Sequence, residues 1–203
     1  MQTDPYAPPT SQLEDKNTEV AFFAVSITKL STMYLVTMGS YIIVWFYYNW
    51  AMLKTRLVQK YGSVWPVPRA IFCIFFTHSL FRIIHARAEE KQVNVSWNSG
   101  SQATFFVVLT ILGNVMSNAS DQVSDNVQGL MLAILGIVIV LVTLIPILAV
   151  QRTVNTLNDD PTGAKNARFS AANILWLLFF GLVWAFMLFG IALLAGLIDL
   201  PEV

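Results

Sequence analysis

The chain has 203 residues, 56% of them apolar and only 12% charged, and its mean hydropathy is +0.61. Soluble domains carry about 25% charged residues, so the low charge and the long uncharged runs indicate an integral membrane protein. The formal net charge of zero gives no electrostatic basis for binding nucleic acid, and the single cysteine, Cys73, excludes an internal disulfide and a cysteine-based metal cluster.

The first 17 residues are polar and rich in proline. They lack the basic start and the apolar core that a signal peptide needs. Such a composition cannot bury enough apolar surface to fold alone. We therefore predict a disordered tail over residues 1–17, followed by a single membrane domain over residues 18–203.

An uncharged stretch over residues 32–53 is long enough to cross the ~30 Å hydrocarbon core of a bilayer. It reads TMYLVTMGSYIIVWFYYNWAML, with a dense group of aromatic residues between Trp45 and Trp50, and Lys54 follows it directly. Aromatic residues favour membrane interfaces, and basic loops favour the cytoplasm. The pattern predicts a first span whose carboxyl end faces the cytoplasm.

Two windows compete for the second span. Residues 69–84 are short and run into basic residues, whereas residues 99–118 reach span length only with their polar flanks. With 99–118 spanning, only Lys16 and Lys29 of the twelve basic residues lie outside, whereas with 69–84 spanning, five do. We therefore favour 99–118 and keep 69–84 as the alternative. Residues 69–90 are then predicted to form an amphipathic interfacial or re-entrant helix.

Two long apolar stretches, 128–150 and 172–198, complete the predicted spans. We expect residues 151–157 to continue the helix before them and Ser170 to cap the last helix. The fold class is thus an all-α membrane protein: a bundle of four transmembrane helices at 32–53, 99–118, 128–150 and 172–198, plus the helix at 69–90. This arrangement places the amino terminus in the periplasm and the 151–170 connector in the cytoplasm.

Several short sequence motifs between residues 20 and 196 form a distinctive pattern. They are Lys29-Leu30, Gly39-Ser40-Tyr41, Trp45-Phe46-Tyr47-Tyr48-Asn49-Trp50, PRAIFCIFFTHSLF, and VQRTVNTLN followed by ARFSAANILWLLFFG. This pattern resembles an uncharacterised family of small bacterial inner-membrane proteins, a domain of unknown function. The resemblance implies a multi-pass protein of the bacterial inner membrane and brings no known chemistry.

Two groups of polar residues are candidates for a site. The first is a stripe at helical spacing that includes His78, Arg82, His85 and Glu89. His85 and Glu89 are four residues apart, but two ligands do not make a metal site, so we predict no metal. The second group contains asparagines near the cytoplasmic ends of spans, where amides hydrogen-bond between helices. The predicted surface at the inner leaflet comprises Asn49, Trp50, Lys54, Arg69, His78, Arg82, His85, Asn155 and Asn158.

The predicted spans contain none of the ionisable residues that usually carry protons or ions through a bilayer. We therefore expect a non-catalytic inner-membrane protein without catalytic residues or cofactor, an accessory or assembly subunit that binds lipid or a membrane protein partner. Membrane lipids are the expected partners, with homo-oligomers possible and no nucleic acid. The alternative function is a small oligomeric channel or transport protein.

Overall fold

The structure, a computed structural model, describes residues 22–61, 64–120, 122–123 and 126–194. The predicted tail over residues 1–17 lies outside this part of the chain. The described residues form seven α-helices and a short 3-10 turn at Ala164–Asn166, without β-strands. The helices are α1 (Ile27–Val36), α2 (Tyr41–Tyr61), α3 (Pro66–Ile71), α4 (Cys73–Glu90), α5 (Ser99–Ser120), α6 (Asn126–Leu157) and α7 (Ala171–Leu194).

Helices α5, α6 and α7 are long and apolar enough to cross a membrane. The prediction of an all-α fold is confirmed, and the three apolar helices support a membrane protein. Helices α5 and α6 run antiparallel, because Gln102 contacts the Pro146 carbonyl near one end and Gly129 faces the Ser120 carbonyl near the other. As predicted, α6 continues through residues 151–157, and Ser170 caps α7 by accepting the Asn173 N–H at 3.2 Å.

The stretch over residues 32–53 does not form one continuous helix. Met38 and Gly39 adopt positive φ angles of 51° and 82°, which end α1 and reverse the chain before α2. The Thr37 hydroxyl donates to the Met33 carbonyl at 2.7 Å and accepts the Tyr41 N–H at 3.0 Å, so it bridges the two helices. We call α1, this turn and α2 the hairpin, and residues 37–40 its tip.

The hairpin changes the predicted arrangement of the chain ends. The backbone N–H of Phe22 donates to Asn158, and that of Phe23 donates to Asn49 in α2. Residues 22–25 therefore lie at the same end of the bundle as the carboxyl end of α6. This corrects our expectation that a first span separates the amino-terminal segment from the 151–170 connector.

The hairpin tip reaches only part of the way along α6. Tyr34 hydrogen-bonds to Thr143 in α6, and Gly39 lies so close to α6 that a Cβ added there would be 3.2 Å from the Val140 side chain. Thr143 and Val140 lie about 12–17 Å before Gln151 at the helical rise of 1.5 Å per residue, which is roughly half of a bilayer core. On α7, the Trp184 indole donates to the Val36 carbonyl at 2.8 Å and holds the tip from the other side.

The region predicted as one helix at 69–90 is divided between α3 and α4. The break is at Phe72, whose N–H donates to the Pro68 carbonyl and ends α3. The buried side chains of α4 recur at helical spacing: Cys73, Thr77, Leu80, Phe81, Ile84 and Ala88. Helix α4 packs with this stripe against α5 and α6.

Single-cysteine labelling tests the reversal of the chain at the hairpin tip. In a Cys73→Ser background, Thr28→Cys, Lys165→Cys and Gln122→Cys each place a thiol at an exposed position. We expect a membrane-impermeant maleimide to label Thr28→Cys and Lys165→Cys from the same side of sealed vesicles, and Gln122→Cys from the opposite side. Labelling of Thr28→Cys from the side of Gln122→Cys would contradict the hairpin.

Candidate functional site

An extended segment at residues 22–25 lies buried at one end of the bundle without a neighbouring strand. Buried backbone groups need hydrogen-bond partners, and side-chain amides provide them here. Three asparagine oxygens each accept a backbone N–H at 3.2 Å. The bonds run from Phe22 to Asn158, from Phe23 to Asn49 and from Val25 to Asn155.

The carbonyls of the same segment accept from side-chain amides. Gln151 donates to Phe23 at 3.1 Å, Asn166 donates to Ala24 at 3.0 Å, and Asn155 donates to Val25 at 2.9 Å. Asn155 thus satisfies both the N–H and the carbonyl of Val25, as a neighbouring β-strand would. We call Asn49, Gln151, Asn155, Asn158 and Asn166 the amide cluster.

The amide cluster is also connected internally. Gln151 donates to the Asn155 oxygen at 2.7 Å and accepts the Trp45 indole N–H at 2.5 Å. Asn49 donates to the Trp45 carbonyl one turn earlier in α2, at 2.9 Å. Asn49, Gln151 and Asn155 are fully buried. The cluster therefore links α2 and α6 to the segment before α1 in one network.

Lys29 closes the network beside the connector to α7. Its ammonium donates to Asn166 Oδ1 at 2.7 Å and to the Arg168 carbonyl at 2.8 Å. Burial lowers the pKa of the Lys29 ammonium, because desolvation disfavours its charged form. The two oxygen acceptors offset part of that cost, so Lys29 fastens the start of α1 to the connector.

Three of the predicted site residues, Asn49, Asn155 and Asn158, are brought together in the amide cluster. Gln151 and Asn166 were not among the predicted site residues. Gln151 and Asn155 in α6 and Asn158 directly after it follow at spacings of four and three residues, which places their amides on one side, and this spacing is visible in the sequence. The amides are occupied by the protein's own backbone, so their role is to hold the amino-terminal segment and not to form an open binding surface.

An aromatic layer lies beside the amide cluster and contacts it through the bond from Trp45 to Gln151. It consists of Trp45, Phe46, Phe81 and Phe106, each no more than 1% exposed. Trp45 meets Phe46 edge to face at a centroid distance of 5.2 Å and Phe81 at 6.5 Å, and Phe46 lies 6.1 Å from Phe106. These contacts leave the layer closely packed.

Beyond the aromatic layer lies a groove of about 590 Å³. The hairpin tip and Cys73 border it at one end, and α5, α6 and α7 line its length. The lining is mostly apolar, with a polar stripe along α5 formed by Thr110, Asn114, Ser117 and Ser120. We call this cavity the intramembrane groove.

The other predicted site residues lie away from the amide cluster. On α4, the His78 ring hydrogen-bonds to the Thr104 hydroxyl at 3.0 Å, and His85 Nδ1 is 3.4 Å from the Glu89 carboxylate. Arg82 is exposed on the same helix. Trp50 is buried beneath the guanidinium of Arg69, and Lys54 is exposed one turn further along α2. The nine predicted residues therefore divide among the amide cluster, the outer face of α4 and the surroundings of Trp50.

Comparisons of the chain with models of known protein families, with curated proteins and with solved structures find no match. The resemblance carried by the motif from Trp45 to Trp50 therefore stays a prediction.

Asn155→Ala tests the amide cluster. It leaves the N–H and carbonyl of Val25 and one amide hydrogen of Gln151 without their partner in the core. Since each unsatisfied buried group costs about 1–3 kcal/mol, we expect the free energy of unfolding in detergent to fall by about 3 kcal/mol.

Asn118→Ala is the matched control for this change. Within the described part of the chain, the Asn118 amide donates to the Asn114 carbonyl on the exposed surface of α5. We expect this variant to change the free energy of unfolding by less than about 0.5 kcal/mol. Equal destabilisation of the two variants in chemical denaturation would show that the cluster has no special structural role.

Proposed function

We propose that the protein is a non-catalytic, multi-pass accessory protein of the bacterial inner membrane that holds a lipid in the intramembrane groove. The observation that carries this proposal is the groove itself. Ligand sites typically have volumes of about 300–1,000 Å³ and are mostly apolar with a few polar groups. A groove of about 590 Å³ with one polar stripe has this character.

The distribution of basic residues supports an orientation for the bundle. The sequence has no Lys or Arg between residues 92 and 151 or after residue 168. Apart from Lys16, which lies outside the described residues, the basic residues belong to elements that begin or end where the amide cluster lies. Under the positive-inside rule this end is cytoplasmic. We therefore propose three crossings, α5 to α7, with the hairpin re-entering from the cytoplasmic face.

The position of the groove favours a lipid. Beyond the hairpin tip, the described chain continues mainly as α5, α6 and α7. Helix α7 is the least covered of these, since no residue in its most hydrophobic stretch is buried. An acyl chain packs well against an apolar surface of this kind. The polar stripe from Thr110 to Ser120 accommodates the ester or headgroup oxygens of the same molecule.

The polar stripe is also the feature that favours a channel or transport function. The aromatic layer opposes it, because Trp45, Phe46 and Phe81 are fully buried and so do not line an open aqueous path. Reconstitution in liposomes separates the two functions. We expect ion and small-solute flux equal to that of empty vesicles. Flux clearly above that level would contradict the proposed lipid-binding function and favour a transport function.

Filling the groove tests lipid binding directly. Ser117 lines the groove and Asn118 does not, although both are exposed on α5. We expect Ser117→Trp to occupy the groove and to reduce the lipid retained after purification in mild detergent at least fivefold, as measured by native mass spectrometry. The matched variant Asn118→Trp is expected to retain lipid as the wild type does. Equal retention by both variants would contradict a lipid in the groove.

A further inference from the structure

Arg69 in α3 is held between two aromatic rings at the basic end of the bundle. Its guanidinium carbon lies 4.4 Å from the ring centroid of Trp50 and 5.1 Å from that of Phe76. Trp50 is fully buried, so one of these rings is fixed by the core. Cation–π contacts use no oxygen acceptor, so the N–H groups of the guanidinium can still donate hydrogen bonds to one.

Those donors have no acceptor in the described part of the chain. Neither of the two ion pairs found there involves Arg69, since they join His85 to Glu89 and Arg87 to Glu90. Asp160 is occupied by the backbone N–H groups of Ala164 and Lys165. A half-buried guanidinium without acceptors is costly, so the geometry favours an external anion.

Two further donors surround the same position. The indole N–H of Trp50 is buried and finds no hydrogen-bond partner among the described residues. Lys54 follows Trp50 by four residues, so it lies on the same face of α2 one turn nearer the basic end, where it is exposed. The cationic groups of Arg69 and Lys54 therefore flank one region beside Trp50.

The neighbouring surface is apolar. Val67, Ile71, Phe72 and Phe75 on α3 and the start of α4 are between 54% and 79% exposed. Trp50 is next to Asn49 of the amide cluster. Trp50 and the Arg69 guanidinium above it are therefore level with the cluster and lie at the proposed cytoplasmic interface. A basic pocket beside an exposed apolar surface at an interface suits a phospholipid, whose phosphate and acyl chains meet at this depth.

We propose that Arg69 and Lys54 bind the phosphate of an anionic glycerophospholipid of the cytoplasmic leaflet. The planar guanidinium donates two hydrogen bonds to phosphate oxygens, and the Lys54 ammonium adds a point charge. Trp50 and Phe76 orient the guanidinium, and the exposed side chains of α3 and α4 contact the acyl chains. This site is distinct from the intramembrane groove, which lies beyond the aromatic layer, and it does not depend on the groove holding a ligand.

The test uses the full-length protein, delipidated in detergent and titrated with phosphatidylglycerol, with bound lipid measured by native mass spectrometry. We expect Arg69→Gln to weaken the binding of one phosphatidylglycerol molecule at least tenfold. Arg69→Lys is expected to weaken it less, because it keeps the charge and loses the paired donors. Arg152→Gln makes the same change in charge at an exposed position of α6 and is expected to leave the affinity unchanged.

Phe76→Leu provides a variant that keeps every charge. It removes one ring from the guanidinium and is expected to weaken binding severalfold, so the proposal remains testable if Arg69→Gln does not fold. Ser117→Trp, which fills the groove, is expected to leave this site intact, so failure of either lipid site can be recognised separately. Equal affinity of the wild type, Arg69→Gln and Phe76→Leu would overturn the proposal. Binding of inorganic phosphate with the same dependence on Arg69, without retention of phosphatidylglycerol, would overturn its assignment to a lipid.

Discussion

The structure depends on the hydrogen bonding of one short extended segment, residues 22–25. Backbone groups that are buried at the edge of a bilayer must find partners inside the protein. A helix satisfies its own groups, and a strand needs a neighbour, but this segment has neither. Five side-chain amides take the place of the neighbour, and Asn155 alone satisfies both groups of Val25. The amide cluster thereby fixes where α1 begins, and so fixes the direction in which the hairpin enters the bundle.

The hairpin then determines how the rest of the bundle is filled. Because α1 turns back after ten residues, its tip meets α6 and α7 near their middles. Non-helical backbone at such a depth is tolerated where protein covers it or where it lines a cavity. Both conditions hold at residues 37–40: hydroxyls of Thr37 and Ser40 bond to nearby carbonyls, and Gly39 and Ser40 line the groove.

Much of the fold could be predicted from uncharged length, because α6 and α7 are continuous apolar helices that satisfy their own backbone. The break at Gly39 could not be predicted, because a single glycine in an apolar run is also common in unbroken membrane helices. Only part of the amide cluster could be predicted from the sequence. The amides of α6 show helical spacing, but their partners are more than 100 residues away, in a segment whose sequence carries no strand or helix signal. The contact between Arg69 and Trp50 is likewise set by packing between helices. The distribution of charged residues along the sequence does not predict such a contact.

The two ends of the bundle consequently differ in composition and in packing. At the basic end, the hairpin, α3 and α4 surround the aromatic layer, and the core contains tryptophans whose indole groups bond to Gln151 and Thr153. Beyond the hairpin tip, fewer helices are present, and small residues such as Gly113 and Gly136 bring α5 and α6 close together while α7 stays apart. Bringing two helices together in this way widens the space that faces the third. The groove is therefore a direct consequence of a chain that turns back halfway.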